Sequence, residues 1–322
     1  MMKAKVFAPV NLALIKYWGK KNTELRIPAN SNLSICLNKL GTRTEVEFKK
    51  ELKNDEVIID DKEVIGRDRD RVVNHLNKIR KVANKNLKAR VVSKNNFPKK
   101  AGLSSSASGF AALTLAGTKA IGLNLNKKDL SRLARMGSGS ACRSIDDGWV
   151  EWLAGDSDKN SYGKSIFSKD YWEIRILVVV LSQKEKRVSS TDGHAVANTS
   201  PFFKTRLNNV NKRLKDLKEA INQKDFSKFG ELIEDDCLSM HSVMLTSKPN
   251  LVYWLPETVR VMRSVQSWRE NGLESYFTVN TGQNVFVVCK PGNEDELADK
   301  LSQLKGVIEV RRDGIGKGAR LV

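Results

Sequence analysis

Residues 97–123, FPKKAGLSSSASGFAALTLAGTKAIGL, contain a Gly/Ser-rich stretch that leads directly into small, helix-forming residues. The pattern predicts a loop at the N-terminus of a helix. Glycines let the backbone approach an anion closely, the helix start favours negative charge, and serine hydroxyls add hydrogen-bond donors. We therefore predict a phosphate-binding loop, although the Walker pattern GxxxxGK(S/T) is absent and an ordinary Gly/Ser loop is an alternative for this segment alone.

Strand and helix patterns on both sides of this loop indicate an α+β fold. Before the loop, an amphipathic helix is predicted at residues 69–84 and strands at residues 5–18, 43–50, 56–60 and 88–96. After it come three helical patterns, a helix at 127–136, an apolar strand at 172–183 and a strand-turn-strand unit at 274–290. A soft boundary near Gln183 divides the chain into residues 1–183 and 184–322, and we expect the two halves to pack around one site.

The composition restricts the class of protein and of partner. Of the 322 residues 40% are hydrophobic, which is enough for a folded core, and the formal net charge is +19. Because zinc-finger, helix-turn-helix and RNP patterns are absent, this charge predicts a small polyanionic substrate and no nucleic acid. The sequence contains neither an apolar run long enough to span a membrane nor a signal-peptide block, so we expect a cytoplasmic protein without a membrane partner.

The cysteines give no indication of a metal site. Cys36, Cys142, Cys237 and Cys289 are scattered through the chain without a CxxC or another metal-ligand spacing. We therefore predict reduced thiols and no bound metal.

Four sequence blocks, taken together, resemble one protein family. PxxxGLSSSAS resembles the phosphate loop of the GHMP kinase superfamily. The resemblance is narrowed by residues 8–11 (APVN) with 15–20 (IKYWGK), by 137–144 (GSGSACRS) and by 188–191 (VSST). In this order the blocks look like the diphosphomevalonate decarboxylase family over nearly the whole chain. The resemblance implies the two-domain GHMP-kinase-like fold, with mixed sheets, helices and an active site between the domains.

The resemblance also implies an anion-binding site. Arg143 is the candidate for the substrate carboxylate, with Asn11 helping to orient it, because a bidentate guanidinium fixes the plane from which carbon dioxide departs. Ser105 and Ser106 are expected at the departing 3-phosphate. Positions that resemble those holding the phosphate tail and carboxylate are Tyr17, Lys20, Arg71, Ser138, Ser140, Arg143 and Ser190. For Arg71, a solvated charge on a helix face is an equal alternative.

The block at residues 279–284, VNTGQN, departs from the family pattern at one position. Where the family has a carboxylate that helps to deprotonate the substrate's 3-hydroxyl, this chain has Asn280, and an amide is a very poor base. Lys16 stands where the decarboxylases have their lysine and is expected to stabilise charge on the leaving phosphate. His194, Lys99 and Lys100 add potential cations near the 3-phosphate, with solvated surface side chains as the alternative.

Together, Lys16 and Asn280 predict an ATP-independent reaction, and the chain resembles most the archaeal bisphosphomevalonate decarboxylases. Such a carboxy-lyase would convert mevalonate 3,5-bisphosphate to isopentenyl phosphate, carbon dioxide and phosphate without a cofactor, with Lys16, Arg143 and Asn280 as catalytic residues. One alternative is a decarboxylase of diphosphomevalonate or phosphomevalonate that requires ATP and Mg²⁺, with Thr281 or a water replacing the carboxylate. A second alternative is an inactive relative that acts as a basic binding protein. The resemblance also allows a homodimer.

Overall fold

The first half of the chain alternates long strands with three helices. The computed structural model describes residues 2–97, 105–184 and 188–322. In chain order, the first-half elements are β1 (Lys3–Ile15), β2 (Lys20–Asn22), β3 (Ile27–Pro28), β4 (Asn32–Lys49), β5 (Glu56–Ile59), β6 (Lys62–Glu63), α1 (Gly66–Ala83), β7 (Lys88–Asn95), α2 (Ser105–Ile121), α3 (Lys127–Gly137), a 3-10 helix (Gly139–Ser144), β8 (Trp149–Trp152) and β9 (Gly163–Phe167).

The second half is richer in helices. Its elements are β10 (Arg175–Val180), α4 (Ser190–Ala195), a 3-10 helix (Ala197–Thr199), α5 (Phe203–Gln223), α6 (Phe226–Thr246), α7 (Pro256–Glu270), β11 (Ser275–Val279), β12 (Val285–Cys289), a 3-10 helix (Pro291–Asn293), α8 (Glu294–Ser302), β13 (Glu309–Gly314) and β14 (Arg320–Leu321). Among the described residues, no helix is long and apolar enough to cross a membrane.

The strands form two main sheets. The larger has the order β14-β1-β4-β7-β5-β6, and β8 extends it by pairing with β4 and with β9. Its pairs are antiparallel except β5 with β7. The smaller sheet has the order β11-β12-β10-β13 and is antiparallel throughout. Among the described strands of the second half, β14 alone returns to the first sheet.

The helix that follows the Gly/Ser loop, α2, lies in the centre of the first half. Its Ala, Gly, Ser and Thr residues leave little side-chain volume, and it packs closely on β1 and β4, with nearly every side chain buried. At Gly117, a Cβ would stand 2.8 Å from Ile79 Cδ1 on α1. Close packing on two sides therefore fixes where the N-terminus of α2 points.

The smaller sheet is covered on both faces, and one of them connects it with the first half. Side chains alternate along a strand, so that Leu177, Phe277 and Val287 pack with residues of α7 and α8. On the opposite face, Val178 and Phe286 belong to a buried cluster that contains residues of β1, β4, α5 and α6. A continuous core thus connects the two sheets.

The α+β fold predicted from the sequence is confirmed. The helix expected at residues 69–84 begins at Gly66, three residues earlier, and the helix expected after the Gly/Ser stretch is α2, which begins at Ser105. The boundary near Gln183 stays a prediction. The strand before it, β10, already pairs with β12 and β13, so the second sheet begins at Arg175.

Candidate active site

A cavity of about 530 Å³ lies where the two halves meet. Most of the residues that line it follow β1, belong to the first turns of α1 and α2, or lie in the 3-10 helix Gly139–Ser144, in α4 and in the turn after β11. The predicted site residues around it are Lys16, Tyr17, Lys20, Arg71, Ser105, Ser106, Ser138, Ser140, Arg143, Ser190, His194 and Asn280. The structure thus brings these side chains together, while their chemical roles stay predictions. Lys99, Lys100 and residues 101–104 of the loop lie outside the described residues.

The main chain of Lys16, the first residue after β1, is held by the second half. Its N–H donates to Asp236 Oδ2 at 2.6 Å. Its carbonyl accepts from Asn30 Nδ2 at 3.1 Å and from Arg206 at 3.2 Å. Asp236 on α6 also forms an ion pair with Arg206 on α5 at 3.0 Å. These two helices therefore fix the point at which Lys16 leaves the strand.

The side chain of Lys16 is only 1% exposed and contacts Asn280. Its Nζ donates to the carbonyl of Ala13 at 2.7 Å and to Asn280 Oδ1 at 3.2 Å. Burial is the main reason that the pKa of Lys16 is lowered to about 8; the guanidinium groups of Arg143 and Arg206 act in the same direction, and Asp236 acts against them. With this pKa, roughly a tenth of the lysine is uncharged at pH 7.

Asn280 lies in the turn directly after β11 and is held from two sides. Its carbonyl accepts from His241 Nε2 on α6 at 3.2 Å, and burial lowers the pKa of this imidazole to about 3. The next residue, Thr281, shares a 2.7 Å hydrogen bond between hydroxyls with Ser190 of α4. An amide oxygen therefore contacts Lys16 at the position where the family pattern has a carboxylate.

Arg143 is 3% exposed, and two asparagines determine its orientation. One terminal nitrogen donates to Asn32 Oδ1 and the other donates to Asn11 Oδ1 at 3.2 Å. Asn11 in turn donates to the Ser140 carbonyl at 3.0 Å and to Ser144 Oγ at 2.8 Å. Asn11 does not line the cavity, so its contact is with Arg143 from behind. The plane of the guanidinium group is thereby fixed.

The imidazole of His194 packs against the aromatic rings of Tyr17 and Trp18. Its imidazole centroid lies 4.1 Å from that of Tyr17 and 4.5 Å from that of Trp18. The Gly19 N–H donates to His194 Nδ1 at 3.0 Å, so the neutral imidazole carries its proton on Nε2. Burial raises the pKa of Tyr17, which remains a phenol and a donor.

Charged residues that the sequence patterns did not indicate also line the cavity. Arg67 and Asp192 form an ion pair at 3.5 Å, and Arg26 and Asp68 lie nearby. Arg67 and Asp68 belong to the RDRDR run at the start of α1, which signals only a polar helix end, and no pattern indicates Arg26. The cationic lining residues are Lys16, Lys20, Arg26, Arg67, Arg71 and Arg143, against two carboxylates. This balance suits a ligand with several negative charges.

A second cavity of about 120 Å³ adjoins the first at the start of α2. Its walls include the apolar side chains of Ile59, Val91, Phe110 and Leu113, with polar atoms from Ser93 and Asn95. It shares with the first cavity Asp68, Arg71, Ser105 and Ser106. Apolar walls suit the base of a nucleotide, and the amide groups of a helix start suit its phosphates.

The same junction offers ligands for Mg²⁺. In the described parts of the chain, no group of three or more His, Cys, Asp or Glu residues could hold a metal by itself. Magnesium bound with a nucleotide needs only one or two protein ligands, because phosphates and waters complete its shell. The carboxylate of Asp68 and the hydroxyl of Ser106 are the residues that would serve.

One mixed and one antiparallel sheet, packed with helices around a cationic cavity between the halves, are the architecture of the GHMP superfamily. Solved structures agree over the whole chain. A complex of MDDEF with MVAPP, AMPPCP and magnesium has a TM-score of 0.94 and 40% identity, covering 100% of this chain and 99% of that one. The mevalonate diphosphate decarboxylase of Staphylococcus aureus has a TM-score of 0.94 and 37% identity, covering 100% and 98%.

The chain belongs to the diphosphomevalonate decarboxylase family. The diphosphomevalonate decarboxylase-like N-terminal domain matches residues 8–163, and the mevalonate 5-diphosphate decarboxylase C-terminal domain matches residues 176–313. The diphosphomevalonate decarboxylase of Candida albicans is 34% identical and the match covers 94% of this chain and 88% of that protein. The phosphomevalonate decarboxylase of Haloferax volcanii is 31% identical, with 98% and 96% covered.

The expectation that no cofactor is needed is wrong. A solved relative with 40% identity binds AMPPCP, an ATP analogue, together with magnesium. The structure of the Enterococcus faecalis enzyme concerns ATP binding mediated by mevalonate diphosphate, at 39% identity. The second cavity of this chain has walls that fit such a nucleotide. The expectation failed because it was based on the residue type at Asn280, and Asn280 does not line the second cavity.

Proposed function

We propose that this chain decarboxylates a mevalonate that carries phosphate at its 5-position, after ATP-dependent phosphorylation of its 3-hydroxyl. The observation that carries the proposal is that Arg143, held by Asn11 and Asn32, lies in the same cationic cavity as Lys16 and the start of α2. A mevalonate phosphate has a carboxylate, a central hydroxyl and a phosphate tail. The cavity provides a separate set of groups for each.

The set for the carboxylate is the guanidinium of Arg143, because a fixed planar fork determines the orientation of the bond that breaks when carbon dioxide leaves. Lys16 and Asn280 serve the central oxygen. The hydroxyl, ammonium and guanidinium groups available for the phosphate tail are those of Tyr17, Lys20, Arg71, Ser138 and Ser140.

Bound ATP with Mg²⁺ supplies the phosphate that turns the 3-hydroxyl into a leaving group. The N-terminus of α2, with Ser105 and Ser106, stabilises the charge on this phosphate through backbone and hydroxyl donors. The charged form of Lys16 then stabilises the phosphate as its bond to C3 breaks and carbon dioxide is lost. The buried position of Lys16 strengthens this electrostatic effect relative to water.

The experiment compares substrates and nucleotide in one set of assays. Purified protein is incubated with mevalonate 5-phosphate or mevalonate 5-diphosphate, each with and without ATP and Mg²⁺, and ADP and carbon dioxide are measured. We expect equal amounts of ADP and carbon dioxide from at least one of the two substrates, and neither product from Arg143→Ala. Failure to form carbon dioxide from both substrates would refute the proposal, and salt-sensitive nucleic-acid binding in that case would support a basic binding protein.

A second candidate substrate is mevalonate 3,5-bisphosphate, which already carries the 3-phosphate. The observation that favours it is the amide of Asn280 in contact with Lys16, where a carboxylate would repel such a phosphate. The same assays include this compound. Carbon dioxide from the bisphosphate, with none from either 5-phosphorylated mevalonate plus ATP, would replace the first substrate by the second.

A further inference from the structure

Lys16 Nζ makes hydrogen bonds that suit an uncharged amine. Both bonds run from the nitrogen to an oxygen, one to the Ala13 carbonyl and one to Asn280 Oδ1. A neutral amine has two N–H groups and one lone pair, whereas an ammonium has three N–H groups. Because Lys16 lines the cavity, the third position of its nitrogen is available to a ligand there. In the neutral form that position holds the lone pair.

The surroundings of Nζ do not hold a positive charge in place. Among the described residues, no carboxylate forms an ion pair with Nζ. Asp236 raises the pKa of Lys16 through its charge, but its oxygens accept from the Lys16 backbone and from Arg206 and Arg213. Burial raises the pKa of Cys237, which is a neutral thiol. The guanidinium groups of Arg143 and Arg206 lower the pKa of Lys16, and His241, whose own pKa is lowered to about 3, is neutral. Burial is the largest cause of the lowering of the Lys16 pKa to about 8.

Asn280 makes this environment different from one with a carboxylate. A carboxylate 3.2 Å from Nζ would favour the ammonium form strongly, while an amide oxygen accepts a hydrogen bond from either form. Asn280 thus takes the place of a carboxylate that could accept a proton, and it leaves Lys16 able to accept a proton instead. This reconciles an ATP-dependent first step with the absence of an acidic residue at position 280.

We propose that Lys16, as the neutral amine, accepts the proton of the substrate's 3-hydroxyl during phosphorylation. The inference depends on the proposed function. The O–H bond breaks and an N–H bond forms on Nζ. The electron pair of the oxygen forms the new bond to the terminal phosphorus of the nucleoside triphosphate. The bond from that phosphorus to its bridging oxygen breaks, which releases the nucleoside diphosphate. Lys16 is then an ammonium beside the new phosphate, which is the state required when that phosphate leaves.

The first test measures the protonation of Lys16 without substrate or nucleotide. Protein with ¹³C,¹⁵N-labelled lysine is titrated from pH 6 to 10 by NMR, and the Lys16 signal is assigned by its loss in Lys16→Arg. We expect a midpoint near pH 8 in the wild-type protein and a midpoint higher by at least one pH unit in Asn280→Asp. A Lys16 signal that remains charged up to pH 10 in the wild-type protein would overturn the inference.

The second test uses the sign of the pH dependence of ADP formation. A proton acceptor must be neutral, so kcat/KM is expected to rise about tenfold per pH unit below about pH 7.5 and to level off above the pKa. A lysine that acts only as a cation gives the opposite result, a fall above about pH 8. A fall or a flat profile between pH 6.5 and 9.5 would therefore overturn the inference.

Two variants separate this inference from the proposed function. Lys16→Arg keeps a positive charge that cannot be lost, so ADP formation is expected to fall at least 100-fold at every pH. Lys164→Arg, at an exposed position of β9, is the matched control and is expected to match the wild-type profile. Product formation with the wrong pH dependence would refute the role of Lys16 alone, whereas failure to form ADP or carbon dioxide from any 5-phosphorylated mevalonate at any pH would refute the proposed function.

Discussion

Replacing Lys16 with methionine is expected to remove a pH dependence from the stability of the protein. Burial lowers the pKa of Lys16 from an ordinary 10.5 to about 8 in the folded state. The unfolded chain therefore holds this proton more tightly than the folded protein does, and the charged form of Lys16 destabilises the fold. Stability increases as the pH rises from about 8 to about 10.5, because the unfolded chain then binds more protons than the folded one.

The magnitude follows from the two pKa values of Lys16. Each pKa unit corresponds to about 1.4 kcal/mol, so a charged Lys16 costs about 3 kcal/mol below its folded pKa. Between pH 7 and pH 9.5 the free energy of unfolding of the wild-type protein should therefore gain about 2 kcal/mol relative to that of Lys16→Met. The comparison with the variant cancels the contributions of all other titrating groups.

Urea unfolding followed by tryptophan fluorescence at both pH values measures this difference. The control is Lys164→Met, which removes an exposed lysine of β9 and is expected to follow the wild-type protein. If Lys16→Met gained as much stability as the wild-type protein between the two pH values, Lys16 would have an ordinary pKa in the fold. The argument from burial would then be wrong.

Three further substitutions test other contacts that shape the site. Arg143→Lys keeps the charge but loses the planar fork, so kcat/KM for carbon dioxide release is expected to fall about 100-fold; a value within threefold of wild type would contradict its carboxylate role. Asp236→Asn deprives two guanidinium groups of their carboxylate and should lower the free energy of unfolding by about 3–5 kcal/mol, which an unchanged urea midpoint would disprove. Gly193→Ala would place a Cβ 2.6 Å from Trp18 Cη2, so α4 must move and KM is expected to rise; an unchanged KM would show that the site accommodates the methyl group.

Local patterns predicted the large elements because these patterns do not depend on distant residues. The helix α2 follows from its loop and its small side chains, and the second part of β4 alternates buried and exposed residues. The first part of β4 is buried on both faces, because Leu33 and Ile35 pack with α5 and α6 while Asn32 and Cys36 contact the segment of Arg143. It therefore shows no alternation of the kind that a strand pattern requires. The same reason explains why the strand was expected only from residue 43.

The site was predictable where its residues lie in motifs and not where contacts join distant segments. Lys16 and Arg143 each belong to a recognisable block of sequence. Arg206 and Asp236 form an ion pair between two helices, and each also contacts the backbone of Lys16. About two hundred positions of the chain separate them from Lys16, so no sequence spacing reveals these contacts. The burial that changes the pKa of Lys16 likewise exists only after both halves have packed.

The return of β14 to the first sheet has a consequence for synthesis on the ribosome. Its residues Arg320 and Leu321 pair with Phe7 and Val6 of β1, and the guanidinium of Arg320 lies 4.7 Å from the ring centroid of Phe7. The strand made first among the described elements thus pairs along one edge with the strand made last. The backbone groups of this edge of β1 therefore have no partner strand until residues 320 and 321 have been synthesised.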